Sequence, residues 1–222
     1  MAISRRPKRA GTWLTRLGLV AVLVVIIVGF RLAMQVGPER YPKDRFVVKE
    51  IVDGDTIELD GGDRLRLLAV DAPEADEPFF EEATSFLRDL LDDQPIRVVF
   101  DETRRDRYGR LLGYVYVDSV FVNEALLARG FGYVYLFSDN DRRRPEVGQL
   151  LAAQRQAMDE RAGLWSLQHD PEDYYVRVKG KFRFHRPGCR DIRGIDPALC
   201  DTFESRDKPL RQGLSPCRNC RP

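Results

Sequence analysis

The chain has 222 residues, 43% of them hydrophobic and 32% charged, with 17 Gly and 13 Pro. That is too apolar and too varied for a disordered or collagen-like polymer. The net charge of +1 hides an asymmetry: residues 1–16 hold five Lys/Arg and no acid, residues 17–173 hold 19 against 30 acids, and residues 174–222 hold 12 against five. A single electrostatic role for the whole molecule is excluded.

The first element is Leu17–Phe30, LGLVAVLVVIIVGF, 14 residues without a charge or a proline. Arg31 interrupts the run, and Leu32, Ala33 and Met34 extend it. A span needs about 20 mostly apolar residues, and an Arg near its end can snorkel to the interface. No small-x-small pair follows as a cleavage signal, so residues 17–34 read as a transmembrane signal anchor, with cleavage and secretion the alternative. The basic stub 1–16 keeps the N-terminus in the cytoplasm and sends the remainder outside. The expected location is therefore the cell membrane, single-pass, with the folded part extracytoplasmic. Residues 35–45 (QVGPERYPKDR) read as a short linker.

Strand patterns follow at Phe46–Ile51, Thr56–Leu59 and Leu65–Val70, with Asp60-Gly-Gly-Asp63 as a hairpin turn between the last two. Glu81–Asp93 places Ala83, Phe86, Leu87, Leu90 and Leu91 at helical spacing before Pro95. Ile96–Phe100 and Leu111–Val117 return to strand character. Val122–Arg129 and Pro145–Arg161 read as helices, each stopped by a glycine. The fold class is mainly β with helices: a five-stranded oligonucleotide-binding-type barrel over residues 46–166. To it are added the N-terminal transmembrane helix and a small C-terminal module over 174–222.

Charge clusters fall where the strand pattern breaks. Asp53-Gly-Asp-Thr56 sits at a strand start, Asp71-Ala-Pro-Glu74 follows the third strand, and Asp106-Arg-Tyr-Gly-Arg110 precedes the Leu111 strand. Each alone reads as an ordinary turn or solvated surface. Together they hold the parts of a phosphodiester-cleaving site. Asp55 and Asp71, with a main-chain carbonyl such as that of Ala72, suit a hard divalent cation. Glu74 suits a general base, and Arg66 and Arg110 supply planar forks for phosphate oxygens.

These motifs, with Arg66-Leu-Leu-Ala-Val-Asp-Ala-Pro-Glu74, Val122-Asn-Glu-Ala-Leu126 and Arg161-Ala-Gly-Leu-Trp165, resemble the thermonuclease (staphylococcal-nuclease-like) family in order and approximate spacing. The resemblance covers about residues 46–166. It implies calcium-dependent cleavage of DNA and RNA. It also implies calcium ligation by Asp55, Asp71 and the Ala72 carbonyl, with Asp53 behind them. Arg66, Glu74 and Arg110 would be the catalytic set, and Arg107 and Tyr108 would contact a terminal substrate phosphate. The loop after Glu74 departs from the family pattern by being short and acidic (Asp76, Glu77). Tyr133 and Tyr135 read as barrel or helix-packing tyrosines, with stacking on bases the alternative. The acid excess around the barrel predicts weak, salt-sensitive binding of polynucleotide. A non-catalytic nucleic-acid-binding protein is the competing function.

All four cysteines lie in the last segment. His185-x3-Cys189 and Cys217-x2-Cys220 have the chelate spacing of a zinc site, with two disulfides as the alternative. Cys200, in Pro197-Ala-Leu-Cys, reads as a core residue. The segment's positive charge with Phe182, Phe184 and Phe203 suggests a clamp on nucleic acid or another anionic surface. It resembles, more weakly, small zinc-ribbon-like tails.

Overall fold

Alternation of apolar residues builds the barrel. In the strand Arg64–Leu67, Leu65 and Leu67 are fully buried while Arg64 and Arg66 point the other way, as the period-2 pleat requires. The computed structural model describes residues 44–91, 94–137, 140 and 142–222. The expected basic stub and signal anchor, and nearly all of the linker, lie outside the described residues. No described helix is long and apolar enough to cross a membrane.

Five strands form the barrel wall: β1 (Arg45–Asp53), β2 (Thr56–Leu59), β3 (Arg64–Leu67), β5 (Pro95–Arg105) and β6 (Leu111–Val117). Their order is β3-β2-β1-β5-β6, and a parallel pairing of β3 with β6 closes the sheet on itself, Arg66 opposite Leu112. Closure removes exposed edges. It also needs a thin wall. A Cβ on Gly113 would lie 2.2 Å from a Val98 methyl, so no larger residue fits there without displacing β5.

The run expected as one strand, Leu65–Val70, divides into β3 and a short β4 (Val70–Asp71). Ala69 adopts a left-handed backbone, φ 61°, which turns the chain and ends the first ladder. β4 then pairs with β8 (Tyr133–Val134), and β7 (Val120–Phe121) hairpins with β6.

Helix α1 (Phe80–Leu91) buries Ala83, Thr84, Leu87 and Leu91, with Phe86 and Leu90 partly covered on the barrel core. Helix α2 (Val122–Ala128) carries the fully buried Asn123. Its amide oxygen accepts from Val115 N–H at 2.9 Å, and its amide nitrogen donates to the Leu68 carbonyl at 2.9 Å. One side chain thus ties β6 to the loop leading into Asp71. Helix α3 (Pro145–Glu160) starts on proline and ends at Arg161 in a left-handed cap, φ 56°. The following Ala-Gly-Leu-Trp threads against Gly130: Leu164 N–H donates to the Gly130 carbonyl at 2.9 Å. A Cβ at Gly130 would lie 2.1 Å from the Ala162 carbonyl oxygen. The Arg161–Trp165 motif is therefore a packing joint.

The last segment has strands that its sequence pattern does not announce. β9 (Tyr175–Val178) pairs antiparallel with β11 (Cys200–Phe203), and β10 (Arg183–Phe184) pairs parallel with β12 (Ser215–Pro216). A short helix α4 (Asp207–Arg211) lies between β11 and β12. Its core is Met158, Tyr175, Phe184, Phe203, Leu210 and Leu214. Phe184 and Phe203 are thus core residues, and Phe182 packs against the barrel core; none is a stacking surface of a clamp. Cys200 corrects in the other direction: it is half-buried at the start of β11 rather than in the core. The segment is fastened to the barrel by buried polar bonds. Gln154 accepts from Val134 N–H and donates to the Leu210 carbonyl, both at 2.7 Å, and Ser215 Oγ donates to the Val134 carbonyl at 2.8 Å.

Replacing Asn123 with Ala leaves two buried backbone groups unpaired. The expected cost is about 2–4 kcal/mol, read as a lowered midpoint in urea denaturation with an unchanged slope. An unchanged midpoint would refute the tie.

Candidate active site

The Asp53–Thr56 turn is made by its own side chains and by close packing. Asp55 N–H donates to Asp53 Oδ1 at 3.0 Å, so Asp53 shapes the turn from behind. A Cβ on Gly54 would stand 2.9 Å from the Cβ atoms of both Ala72 and Ala83. Only glycine lets the turn lie this close to Ala72 and to helix α1. Asp55 is consequently 97% buried, since it retains 3% of its exposure. Its oxygens accept from Thr56 Oγ1 at 3.0 Å and from Ala72 N–H at 3.2 Å.

Arg66, projecting outward from β3, stands between two carboxylates. Its Nη1 donates to Asp55, and its Nη2 donates to Asp71 at 3.3 Å and to the Val70 carbonyl at 3.2 Å. Asp71 is also buried, brought there by the turn at Ala69 and by the β4–β8 pairing. Burial pushes the Asp55 carboxyl up to about 6, while the Arg66 guanidinium pulls it down. Two acids taken out of water on one wall require positive charge beside them.

Glu74 stands three residues beyond Asp71, about half exposed, with its N–H donating to Glu77 at 3.0 Å. Arg110 arrives from the turn before β6. Asp106 accepts from the Tyr108 and Arg110 backbone N–H groups at 2.9 and 3.0 Å, and from Arg110 Nε at 2.8 Å. Asp106 is thus a positioning residue for Arg110, a role the sequence reading left unassigned although Asp at the head of a glycine turn is its signature. Tyr108 is exposed, with its hydroxyl accepting from Arg107 at 2.6 Å. One cleft is lined by Arg66, Asp71, Glu74, Arg107, Tyr108 and Arg110, so six expected residues meet there. Asp53 and Asp55 lie behind its wall, and Ala72 lines the adjoining pocket.

Two further arginines enter this cleft from the last segment. Arg183 donates to Asp71 Oδ2 at 3.1 Å, and Arg218 donates to Asp71 Oδ1 at 2.5 Å and to Glu74. Burial works against the Arg218 charge, but Asp71 and Glu74 outweigh it and raise its pKa above the ordinary value. Arg221 pairs with Asp76 at 3.0 Å and with Glu77 at 3.5 Å. The acidic loop after Glu74 is therefore the counterpart of a basic segment of the same chain. Tyr135 also lines the cleft, its ring 4.3 Å beneath the Arg183 guanidinium; it is a cleft residue rather than a packing tyrosine. Tyr133 does pack, edge-on against Trp165.

His185, Cys189, Cys217 and Cys220 come together with all ligand atoms within 4.8 Å of one another. None of the four cysteines is in a disulfide, and the Cys189 and Cys217 sulfurs stand 4.0 Å apart. His185 is buried, and its Nδ1 has no hydrogen-bond partner among the described residues. Burial lowers its pKa and keeps the ring neutral. Arg186 N–H donates to Cys220 Sγ at 3.3 Å, and Asp191 accepts from Cys217 Sγ at 3.2 Å. Burial, with Cys189 and Cys217 alongside, pushes the Cys220 thiol up to about 12. The cluster has the donor set, closeness and orphaned imidazole nitrogen that a dication would satisfy.

Residues 64–167 match the family model described as staphylococcal nuclease homologue. An uncharacterized protein of Bacillus anthracis is 34% identical over 132 residues, which is 54% of this chain and 60% of that protein. This chain thus spans less than two thirds of that relative. A thermonuclease of Staphylococcus intermedius is 32% identical over 131 residues, 55% of this chain and 76% of that protein. A thermonuclease of Staphylococcus hyicus is 28% identical over 163 residues, 67% of this chain and 95% of that protein. The residues matched to the family model hold Arg66, Asp71, Glu74 and Arg110, and leave Asp55 and the cysteine cluster outside.

Proposed function

The chain belongs to the staphylococcal nuclease family, and from that premise we propose that it is a calcium-dependent nuclease hydrolysing phosphodiester bonds of DNA and RNA. The observation that carries this reading is the gathering of Asp71, Glu74, Arg66 and Arg110 on one cleft, with buried Asp55 directly behind Arg66.

Asp55, Asp71 and the Ala72 carbonyl are an all-oxygen donor set, which suits a hard dication. Their gathering is supported by the burial of both carboxylates, by Arg66 bonding to each, and by the Ala72 N–H donating to Asp55. A hard dication held by these residues would supply Lewis-acid polarisation of a phosphoryl oxygen and an ordered water. Glu74, at the cleft rim, takes the proton from that attacking water. Arg66 and Arg110 hold the phosphate through paired N–H donors and meet the charge that grows on its oxygens. Asp106 keeps the Arg110 fork aimed, and Tyr108 with Arg107 receives a terminal phosphate at the edge.

The C-terminal cluster is assigned to zinc through His185, Cys189, Cys217 and Cys220. Four ligands drawn from both ends of a segment of about 50 residues would supply folding energy that so small a unit lacks. Residues 17–34 are assigned as a signal anchor on their sequence, which places the nuclease outside the cytoplasmic membrane.

Three outcomes test the reading. Glu74→Gln should keep its melting temperature and lose about two to four decades of calcium-dependent hydrolysis of single-stranded DNA; wild-type rates would remove Glu74 as the base. Metal analysis of the purified protein should find about one zinc per chain, with Cys189, Cys217 and Cys220 reacting with thiol reagents only after chelation. Metal-free protein lacking titratable thiols would establish disulfides instead. Protease added to intact cells should degrade residues 46–222, and complete protection would reverse the topology.

A further inference from the structure

Arg218 is the second residue of the Cys217–Cys220 knuckle, and its guanidinium spans Asp71 and Glu74, 147 and 144 residues away in sequence. The knuckle holds it firmly at both ends. Cys217 and Cys220 belong to the four-residue cluster, Cys220 Sγ accepts from Arg186 N–H, and Arg221 N–H donates back to the Cys217 carbonyl at 2.9 Å. Arg183 is also held, with Nη1 donating to the Pro216 carbonyl at 2.7 Å and the guanidinium over the Tyr135 ring. Both side chains keep about a quarter to two fifths of their exposure, 24% and 42%, and face the same open cleft.

The charge of that cleft decides their role. The barrel lines it with four arginines (Arg66, Arg105, Arg107, Arg110) and four carboxylates, which cancel. Arg183 and Arg218 are the only other charged residues among the described lining, and they make the balance positive by two. Polynucleotide affinity comes mainly from neutralised phosphates, so the barrel by itself is poorly equipped to hold a strand along this wall.

We propose that the C-terminal segment is part of the substrate site: Arg183 and Arg218 bind a backbone phosphate flanking the scissile one, and the Cys/His cluster is the mount that sets Arg218. The proposal rests on the nuclease reading above. Arg218 exchanges its carboxylate partners for the phosphate when a strand enters, as a planar fork can for either anion. The substrate class is a polynucleotide strand rather than a dinucleoside phosphate, which has no flanking phosphate to offer.

The test compares wild type with Arg218→Ala, Arg218→Lys and Cys220→Ser, and with Arg211→Ala as a charge control. Arg211 pairs with Asp159 and does not line the cleft. Affinity is measured by fluorescence anisotropy on a phosphorothioate single strand of about twelve nucleotides, which keeps its charge and resists cleavage. Arg218→Ala is expected to weaken binding about tenfold and to reduce the slope of log affinity against log salt by about 0.7, one phosphate contact on a single strand. Arg218→Lys should keep the slope with weaker binding, Cys220→Ser should behave as Arg218→Ala, and Arg211→Ala should change neither quantity. Hydrolysis should follow: Arg218→Ala raises KM for long strands by a larger factor than it raises KM for a dinucleoside phosphate. Unchanged affinity and slope in a folded Arg218→Ala protein overturn the proposal. Faster turnover of both substrates also overturns it, by making Arg218 a plug on Asp71 and Glu74. A wild-type protein that binds a strand but never cleaves one defeats the nuclease reading while leaving the phosphate contact measurable. One that does neither defeats both.

Discussion

Holding the carboxyl groups of Asp55 and Asp71 away from water is the constraint on which the rest of the structure depends. Two buried carboxylates at the mouth of an apolar barrel are costly unless cationic groups meet them at hydrogen-bond distance. Arg66 stands between them because β3 alternates, sending Leu65 and Leu67 inward and Arg66 outward. Ala69 accepts a left-handed backbone so that Asp71 can turn toward that same guanidinium. Gly54 lets the first acid approach Ala72, and Asn123 fixes the loop that carries the second. The motifs of this region are thus the means of bringing opposite charges together in a poorly hydrated place.

The same demand explains the charge asymmetry of the chain. Residues 17–173 carry the acid excess and residues 174–222 the basic one, and the structure brings the two into contact. Arg183 and Arg218 meet Asp71, Arg218 meets Glu74, and Arg221 meets Asp76 and Glu77. An acidic loop after Glu74 looks unsuited to a polynucleotide when read alone. Beside a basic knuckle of the same molecule it is a docking surface. Exposed pairs such as Arg221–Asp76 add little stability individually; the buried bonds of Gln154 and Ser215 hold the segment, and the ion pairs set its register.

Much of the barrel was legible because its determinants are local. Period-2 alternation marked the strands of the wall, and Asp60-Gly-Gly-Asp63 marked its first hairpin. Proline at the start of Pro145–Glu160 and glycine beyond its end bounded that helix. The division at Ala69 was not legible, since an alanine in a left-handed conformation is imposed by tertiary pairing. The short strands of the last segment were missed for a related reason: ladders of two to four residues carry too little periodicity to stand out. Asp55, Arg66, Asp71, Glu74 and Arg110 could be nominated from their spacing, and His185 with the three cysteines from chelate geometry. The contributions of Arg183, Arg218 and Tyr135 to the cleft depend on contacts across more than 100 residues of chain or on a strand register, and neither leaves a local pattern. Aromatic residues misled in both directions. Phe184 and Phe203 resembled a stacking surface and are core, while Tyr135, weighted toward packing over stacking on bases, lines the cleft.

The bonds of Gln154 bear on how the molecule is made. Its carbonyl oxygen completes β8 by accepting from Val134, and its amide nitrogen donates to the carbonyl of Leu210, 56 residues later. A chain emerging from the ribosome therefore presents helix α3 with one buried donor still waiting and with Met158 uncovered. Asp71 likewise lacks two of its three guanidinium neighbours until residues 183 and 218 have been synthesised. Vectorial synthesis delivers the barrel before these polar partners, so the finished cleft is acquired only after the barrel strands have been made.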